Sequence, residues 1–447
     1  MRHGVRLSAW LLAGVVLLGA AEVRGAGFAI KEQSTAALGN AFAGATAAAE
    51  DPSYSFFNPA ALARQPGIRT AAAVSWIVPR AELETAAAGT VLGTPITGRT
   101  HRGDVAEDVL LPALYASWQV DPALTLGLAV NAPFGLATRY PRDWVGRYHA
   151  LDSELRTVTV TPMLALRPDS RLAVGLGLQI QYAEARLTNA VDFGTIGAVL
   201  GIPGAVPGAQ DGRVELEGDS LGVGVVAGIL MEPWAGTRVG LGYRSRVQHN
   251  LRGDVDFTLD GAGIGATLSA ATGRFVDTRG EARLTLPDQI SFGLYHELTP
   301  ELALMAEAQL TRWSVFDELR VRFDNPAEAD SVTDERWQDS WFFALGASWR
   351  PVDGLVLRTG IAHDQTPIRT RFRTPRIPGD DRWWLTVGLS WQPAAGFTLD
   401  VGYTHIWVES SRVRLTTAGA GNTFRGNLTA RYDNAIDILA VGGRVTF

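Results

Sequence analysis

The sequence predicts an all-β protein: a transmembrane antiparallel β-barrel of about 14 strands, with a compact helical segment ahead of it. Three observations predict it. Apolar residues recur at every second position in segment after segment from residue 67 to the end. The connections between those segments alternate between tight and long. The final segment is itself alternating and stops on an aromatic residue, Phe447.

Taken in order, residues 1–25 read as a cleavable export signal, with Arg2, His3 and Arg6 ahead of an apolar run from Leu7 to Leu18. That run is too short for a spanning helix, which needs about 20 residues, and no later stretch supplies one. Residues 26–66 form a separate unit. Ala36-Ala37-Leu38, Ala41-Phe42-Ala43 and the alanines through Ala49 favour short helix, with Ser34 and Thr35 available as N-caps. Glu50-Asp51-Pro52 breaks it, and Asn58-Pro59-Ala60 starts another turn with proline at its first position.

Residues 67–447 are the barrel. Leu172, Val174, Leu176, Leu178, Ile180 and Tyr182 share one strand face, while Ala173, Gly175, Gly177, Gln179 and Gln181 share the other. A sandwich would bury its large residues together; a lipid-facing barrel turns them outward and lines its lumen with small and polar ones. Tight turns fall at Asp121-Pro122, Pro168-Asp169, Pro233 to Gly236, Thr299-Pro300, Pro351 to Gly354 and Pro393 to Gly396. Seven long connections lie around 84–103, 139–153, 188–213, 251–280, 321–338, 369–381 and 411–431, which gives the even strand number. Trp118, Trp234, Trp349 and Trp391 stand beside the tight turns, as an inner aromatic girdle would.

Composition narrows the class. The chain is 46% hydrophobic and 19% charged, which a barrel permits because its apolar residues occupy only alternate positions. Cysteine is absent, so neither disulfides nor thiolate metal sites are available. A net charge of −6 gives no support for nucleic-acid binding. Gly218-Asp219-Ser220-Leu221-Gly222 matches a hydrolase nucleophile string, but it opens an alternating strand rather than a strand-turn-helix. No catalytic residue, metal ligand or cofactor is assigned; His149, His249 and His363 lack ligand spacing.

The stretch LGNAFAG followed by EDPSYSFFNPAALA resembles the N-terminal hatch of the FadL family of long-chain fatty-acid outer-membrane transporters. NAPFGLATRY (131–140), LPDQISFG (286–293), WFFALGASWRP (341–351) and IPGDDRWWLTVGLSW (377–391) resemble further segments of that family in the expected order. The resemblance implies a hatch folded inside the barrel, carried here by Gly27, Phe28, Leu38, Gly39, Phe42, Gly44, Asn58, Pro59 and Ala60. It also implies a lateral opening at an inward kink of the third strand, over Asn131, Pro133, Phe134 and Gly135. Proline cannot donate to a strand ladder, and a glycine beside it allows a bend.

The external connections 188–213 and 251–280 are too apolar for solvated loops, and Phe193, Ile196, Leu200, Phe257 and Leu259 are read as a capture groove or as two loops packed on each other. A fatty-acid carboxylate in a low-dielectric lumen needs a cationic partner, for which Arg186 and Arg336 are the candidates. The implied activity is passive uptake of hydrophobic compounds, long-chain fatty acids first, by loop capture, lumen binding and lateral release. An aromatic-hydrocarbon channel of the same fold, a general porin and an outer-membrane lipid hydrolase are the alternatives. The expected partners are hydrophobic small molecules, outer-membrane lipid and lipopolysaccharide, and the barrel-assembly machinery through the last strand, for a monomeric chain.

Overall fold

The computed structural model describes residues 27–447, so the segment read as an export signal lies outside the described residues. Fourteen spanning strands follow in chain order: β1 (Ile68–Gly89), β2 (Val109–Asp121), β3 (Leu124–Asn131, then Gly135–Arg139), β4 (Asp152–Leu166), β5 (Leu172–Asp192) and β6 (Asp211–Trp234). Next come β7 (Thr237–Arg244, then Val247–Thr258), β8 (Thr278–Leu286, then Gln289–Glu297) and β9 (Leu302–Thr311, then Glu318–Phe323). The last are β10 (Ser340–Val352), β11 (Leu355–Asp364), β12 (Arg382–Ala394), β13 (Phe397–Leu415) and β14 (Asn427–Thr446). Two short ribbons, Arg102–Asp104 and Ser331–Asp334, lie outside this set.

Neighbours in sequence pair antiparallel, and β14 returns to β1 from Arg69↔Thr446 to Gly89↔Asn427. That closure leaves neither the first nor the last strand unpaired, the general condition for backbone polar groups to survive in hydrocarbon. Strand parity sorts the side chains. On β5, Leu176, Leu178, Ile180 and Tyr182 are exposed, whereas Ala173, Gln179, Gln181 and Ala183 are buried. Trp118, Trp234, Trp349 and Trp391 are all exposed beside the tight turns. The chain is therefore inverted relative to a soluble barrel, with large apolar residues on the outside.

The lumen is filled by the N-terminal segment. It is less helical than its alanine content predicts. The helix α1 covers only Thr35–Leu38, capped by Ser34 accepting from the Ala37 amide at 3.3 Å. Ala41 and Phe42 then adopt left-handed backbone, φ 53° and 60°, which no helix can continue through. Two 3-10 turns follow, Pro52–Phe56 and Pro59–Arg64, capped by Asp51 and Asn58 with proline at the first position of each.

Hydrogen bonds tie this segment to strands all round the wall. Tyr115 of β2 donates to Gln33 O at 2.7 Å, and Asn58 Nδ2 to Ile229 O of β6 at 3.0 Å. Asn40 Nδ2 donates to Ala347 O of β10 at 2.7 Å, and Thr386 of β12 donates to Gly39 O at 3.1 Å. Arg358 of β11 reaches Glu50 at 2.5 Å, and Arg444 of β14 reaches Asp51 at 3.4 Å. Close approach demands glycine at one contact. A Cβ on Gly388 would stand 2.6 Å from Gly39 Cα, inside any permitted contact distance.

Candidate functional site

The third strand is where the wall's ladder is interrupted. β3 pairs with β4 up to Asn131↔Thr159 and resumes at Gly135↔Arg156. Between them Pro133 has no amide to offer, and the Thr157 side chain substitutes for the ladder by accepting from the Phe134 amide at 3.0 Å and donating to Phe134 O at 2.6 Å. On the other side, pairing with β2 ends at Leu114↔Val130, so Val109–Ala113 of β2 has β1 as a neighbour but no β3 ladder. The start of the hatch fills the inner edge. Ile30 N donates to Pro133 O at 2.8 Å, Gly135 N to Phe28 O at 2.9 Å, and Gln33 Nε2 to Ala132 O at 2.9 Å. Asn131 Nδ2 donates to the Tyr115 hydroxyl at 2.7 Å. Backbone groups released by the kink are thus satisfied by the hatch rather than by a strand.

Phe28 stands at the centre of an aromatic box. Its ring centroid lies 4.7 Å from Trp313, 5.5 Å from Trp337, 5.7 Å from Phe316 and 6.2 Å from Phe134 of the kink. This box separates two cavities. The upper one, of about 110 Å³, is walled by Leu136, Leu155, Leu187, Leu216, Leu251, Leu284 and Ile377, with Phe28 and Phe316 on its floor. The deeper one, of about 60 Å³, lies between Ile30, Lys31, Phe56, Phe57, Trp313, Phe342 and Trp384, with Pro133 at one end. Lys31 bonds Gln309 and holds its ammonium 3.9 Å above the Phe342 ring.

Glu154, Glu217, Asp254 and Glu281 of the strands line the upper cavity along with Glu335 and Arg376, and these last two come from external connections. Burial pushes Glu335 up to about 8, and its carboxyl accepts from Trp337 Nε1 at 2.9 Å. Burial also pushes Arg376 down to about 10, and its guanidinium donates to Ser153 Oγ at 2.7 Å and Asp152 O at 3.1 Å. An acid held neutral and a buried guanidinium therefore share one chamber.

Neither arginine singled out from the sequence lines a chamber. Arg186 sits on the outer face of β5, where its Nε donates to Glu215 at 2.5 Å. The alternation that turns Ile180 and Tyr182 outward turns Arg186 outward as well. Arg336 packs its guanidinium 5.2 Å from the Phe372 ring and lies 3.8 Å from Asp334. The external loops depart from an open groove. The helices α2 (Phe193–Val199) and α3 (Ile264–Thr272) pack on each other, burying Phe193, Ile196, Ile264 and Leu268. Phe257 and Leu259 are half-buried against that cluster, whereas Leu200 is 61% exposed at its tip.

The hatch residues Gly27, Leu38, Phe42, Gly44, Pro59 and Ala60 are all buried within the barrel. Lys31 and Arg376 went unassigned in the sequence, although Lys31 carries a signal as the chain's only lysine. The nucleophile-like string lies within β6; Ser220 Oγ accepts from the Asn250 amide at 3.2 Å, and His249 bonds Gln181 at 3.0 Å. Among the described residues, no cluster of His, Asp or Glu is arranged to hold a metal.

Residues 16–447 match the family described as outer membrane protein transport protein (OMPP1/FadL/TodX). The chain belongs to that family. As a FadL-family member it is an integral β-barrel of the bacterial outer membrane and a transport protein. An outer membrane protein of Neisseria meningitidis serogroup B is 28% identical over 453 residues, covering 96% of this chain and 97% of its own. The long-chain fatty acid transport protein of Escherichia coli K12 is 26% identical over 83% of this chain and 85% of its own. Among solved folds, a Pseudomonas aeruginosa FadL homologue superposes with a TM-score of 0.86 at 23% identity, covering 94% of this chain and all 100% of that one. The Pseudomonas putida toluene transporter TodX gives 0.70 at 16% identity, with 94% and 99% covered.

Proposed function

We propose that this protein takes up long-chain fatty acids passively and releases them sideways into the membrane at Asn131 to Gly135. The observation that carries the reading is the juxtaposition at the kink. A chamber walled by aromatic rings on one part and by polar side chains on another reaches Pro133 near where the β2–β3 ladder stops, and the hatch tip, not a strand, covers the inner edge. Each methylene moved into lipid is worth about 0.8 kcal/mol, so a long acyl chain gains far more by leaving through the wall than by entering aqueous periplasm. Exposed Leu200, Val199 and Val206 on the loop tip supply first capture. Arg376, beside neutral Glu335, supplies the charge for the carboxylate in place of the arginines read from the sequence. Residues 26–66 act as the hatch behind an export signal at 1–25, and the work is transport rather than catalysis, by a single chain assembled through its C-terminal strand and seated in lipopolysaccharide.

A second reading, uptake of an aromatic hydrocarbon, is favoured by the box around Phe28, since a site that holds one ring edge-on to four others would hold a substrate ring in the same way. One pair of variants tests both. Replacing Asn131 to Gly135 by a regular alternating sequence should cut uptake of labelled oleate to half or less while heat-modifiable migration is retained; normal uptake would rule out release at this kink. Arg376→Gln should weaken oleate binding about tenfold, the value of one charged hydrogen bond, and leave toluene uptake unchanged. Equal loss of both would remove Arg376 from the head-group role.

A further inference from the structure

We propose that the wall has a second lateral opening, between β6 and β7, served by the same deep chamber; the inference rests on the lateral-release reading above. The β6–β7 ladder runs from Trp234↔Thr237 to Val226↔Arg244 and resumes only at Asp219↔Arg252, continuing to Arg213↔Thr258. Between these, Ser220–Val225 faces Ser245–Leu251 without strand pairing. The cause is an inward bend of β7. A Cβ on Gly222, directed into the lumen, would stand 2.6 Å from Val247 Cγ1 and 2.9 Å from Gln248 O, so β7 crosses the inner face of β6 there.

The break is finished at both ends. At the lower end the Val225 amide donates to Ser245 Oγ at 2.8 Å and the Ser245 amide to Val225 O at 2.8 Å. At the upper end the Asn250 amide donates to Ser220 Oγ at 3.2 Å. Serine hydroxyls thus take the place of missing ladder partners, in surroundings where an unpaired strand edge is otherwise costly. Outside, Leu221 and Val223 are 72% and 68% exposed, more than any other large apolar side chain in the described strands; β5 flanks them on one side, and on the other the β7 ladder is missing.

Register and connection agree. Tyr182 of β5 lies opposite Leu221 of β6 on one side and opposite Val158 of β4 on the other. Val158 is level with the missing β3 ladder, so both breaks end at the same row of the wall. Below that row the strands carry lipid-facing Leu178, Ile180 and Val225. The deep chamber touches Pro133 at the first break, and Val226 and Arg244, the last pair below the second, at the other. Arg244 is the threshold: it bonds Gln179, and its Nη2 donates to Phe56 O of the hatch at 2.8 Å. A solute in the chamber accordingly meets a break in the ladder on two sides.

The absence of cysteine makes the test clean, since only introduced thiols will react. Pro112→Cys with Ala132→Cys, bridged by dibromobimane, closes the β2–β3 gap; Val223→Cys with Gln248→Cys closes the β6–β7 gap. Uptake of labelled oleate is measured before and after bridging, so each unbridged variant is its own control for folding, checked by heat-modifiable migration. Leu221→Cys with Asn250→Cys replaces the second pair should it fail to fold. Either bridge alone should roughly halve uptake, and both together should abolish it. Complete loss on closing β2–β3 alone, or no further loss on adding the β6–β7 bridge, would overturn the second opening while leaving lateral release intact. Undiminished uptake with both bridges would overturn lateral release itself, and the second opening with it.

Discussion

Replacing Phe28 with alanine removes the ring on which the hatch tip is anchored. The side chain is 2% exposed and touches four aromatic rings at centroid distances from 4.7 to 6.2 Å. Truncating a buried phenylalanine costs about 3–5 kcal/mol, part of it from the cavity left behind, and the aromatic pairings are included in that loss. The tip keeps its two backbone bonds to Pro133 and Gly135. Set against those, the variant should raise the opening equilibrium of the first hatch residues by roughly two to three powers of ten. Lys31 reports the change. It is the chain's only lysine and is held in the deep chamber against Gln309 and Phe342. A small acylating reagent, with adducts on the Lys31 peptide quantified by mass spectrometry, should label Phe28→Ala at least a hundredfold faster than wild type, and Phe28→Leu at an intermediate rate. Labelling of Phe28→Ala within about threefold of wild type would mean that the backbone bonds, not the aromatic box, hold the tip.

Deleting residues 26–63 should raise single-channel conductance in planar bilayers, because their contacts run from β2 round to β14 across the lumen; unchanged conductance would mean that they do not plug it. Gly388→Leu would drive a side chain into Gly39 of the hatch and should lower the thermal midpoint by the equivalent of about 1–3 kcal/mol, read from heat-modifiable migration; an unchanged midpoint would show that the hatch can shift aside. Glu335, pushed up to about 8 by burial, keeps its proton where the unfolded chain has lost it, so stability of the external loops should fall as pH rises from the ordinary carboxylate range to about 8 and then level off. Hydrogen exchange of the loop amides across that range, with Glu335→Gln expected to abolish the dependence, checks the sign.

The sequence alone determined the class of this protein, because the signals that define a barrel are local. Period-two alternation, proline- and glycine-marked turns and tryptophans beside them each need only a few neighbouring residues to be read. Pro133 and Gly135 marked the break in β3 for the same reason, since the missing amide belongs to the proline itself. Arg186 could have been placed correctly from the sequence too, by carrying the parity of Leu172 to Tyr182 four residues further. Other features depend on residues far apart along the chain. The length of α1 was lost to left-handed backbone at Ala41 and Phe42, imposed where the hatch packs against β10 to β12. Phe28 meets Trp313 and Trp337 about three hundred residues away, and Arg376 meets Glu335 only because two separate loops fold over one mouth. The β6–β7 break has no proline at all. It arises where one strand bends across the glycines of its neighbour, and that can be decided only when both strands occupy the same wall.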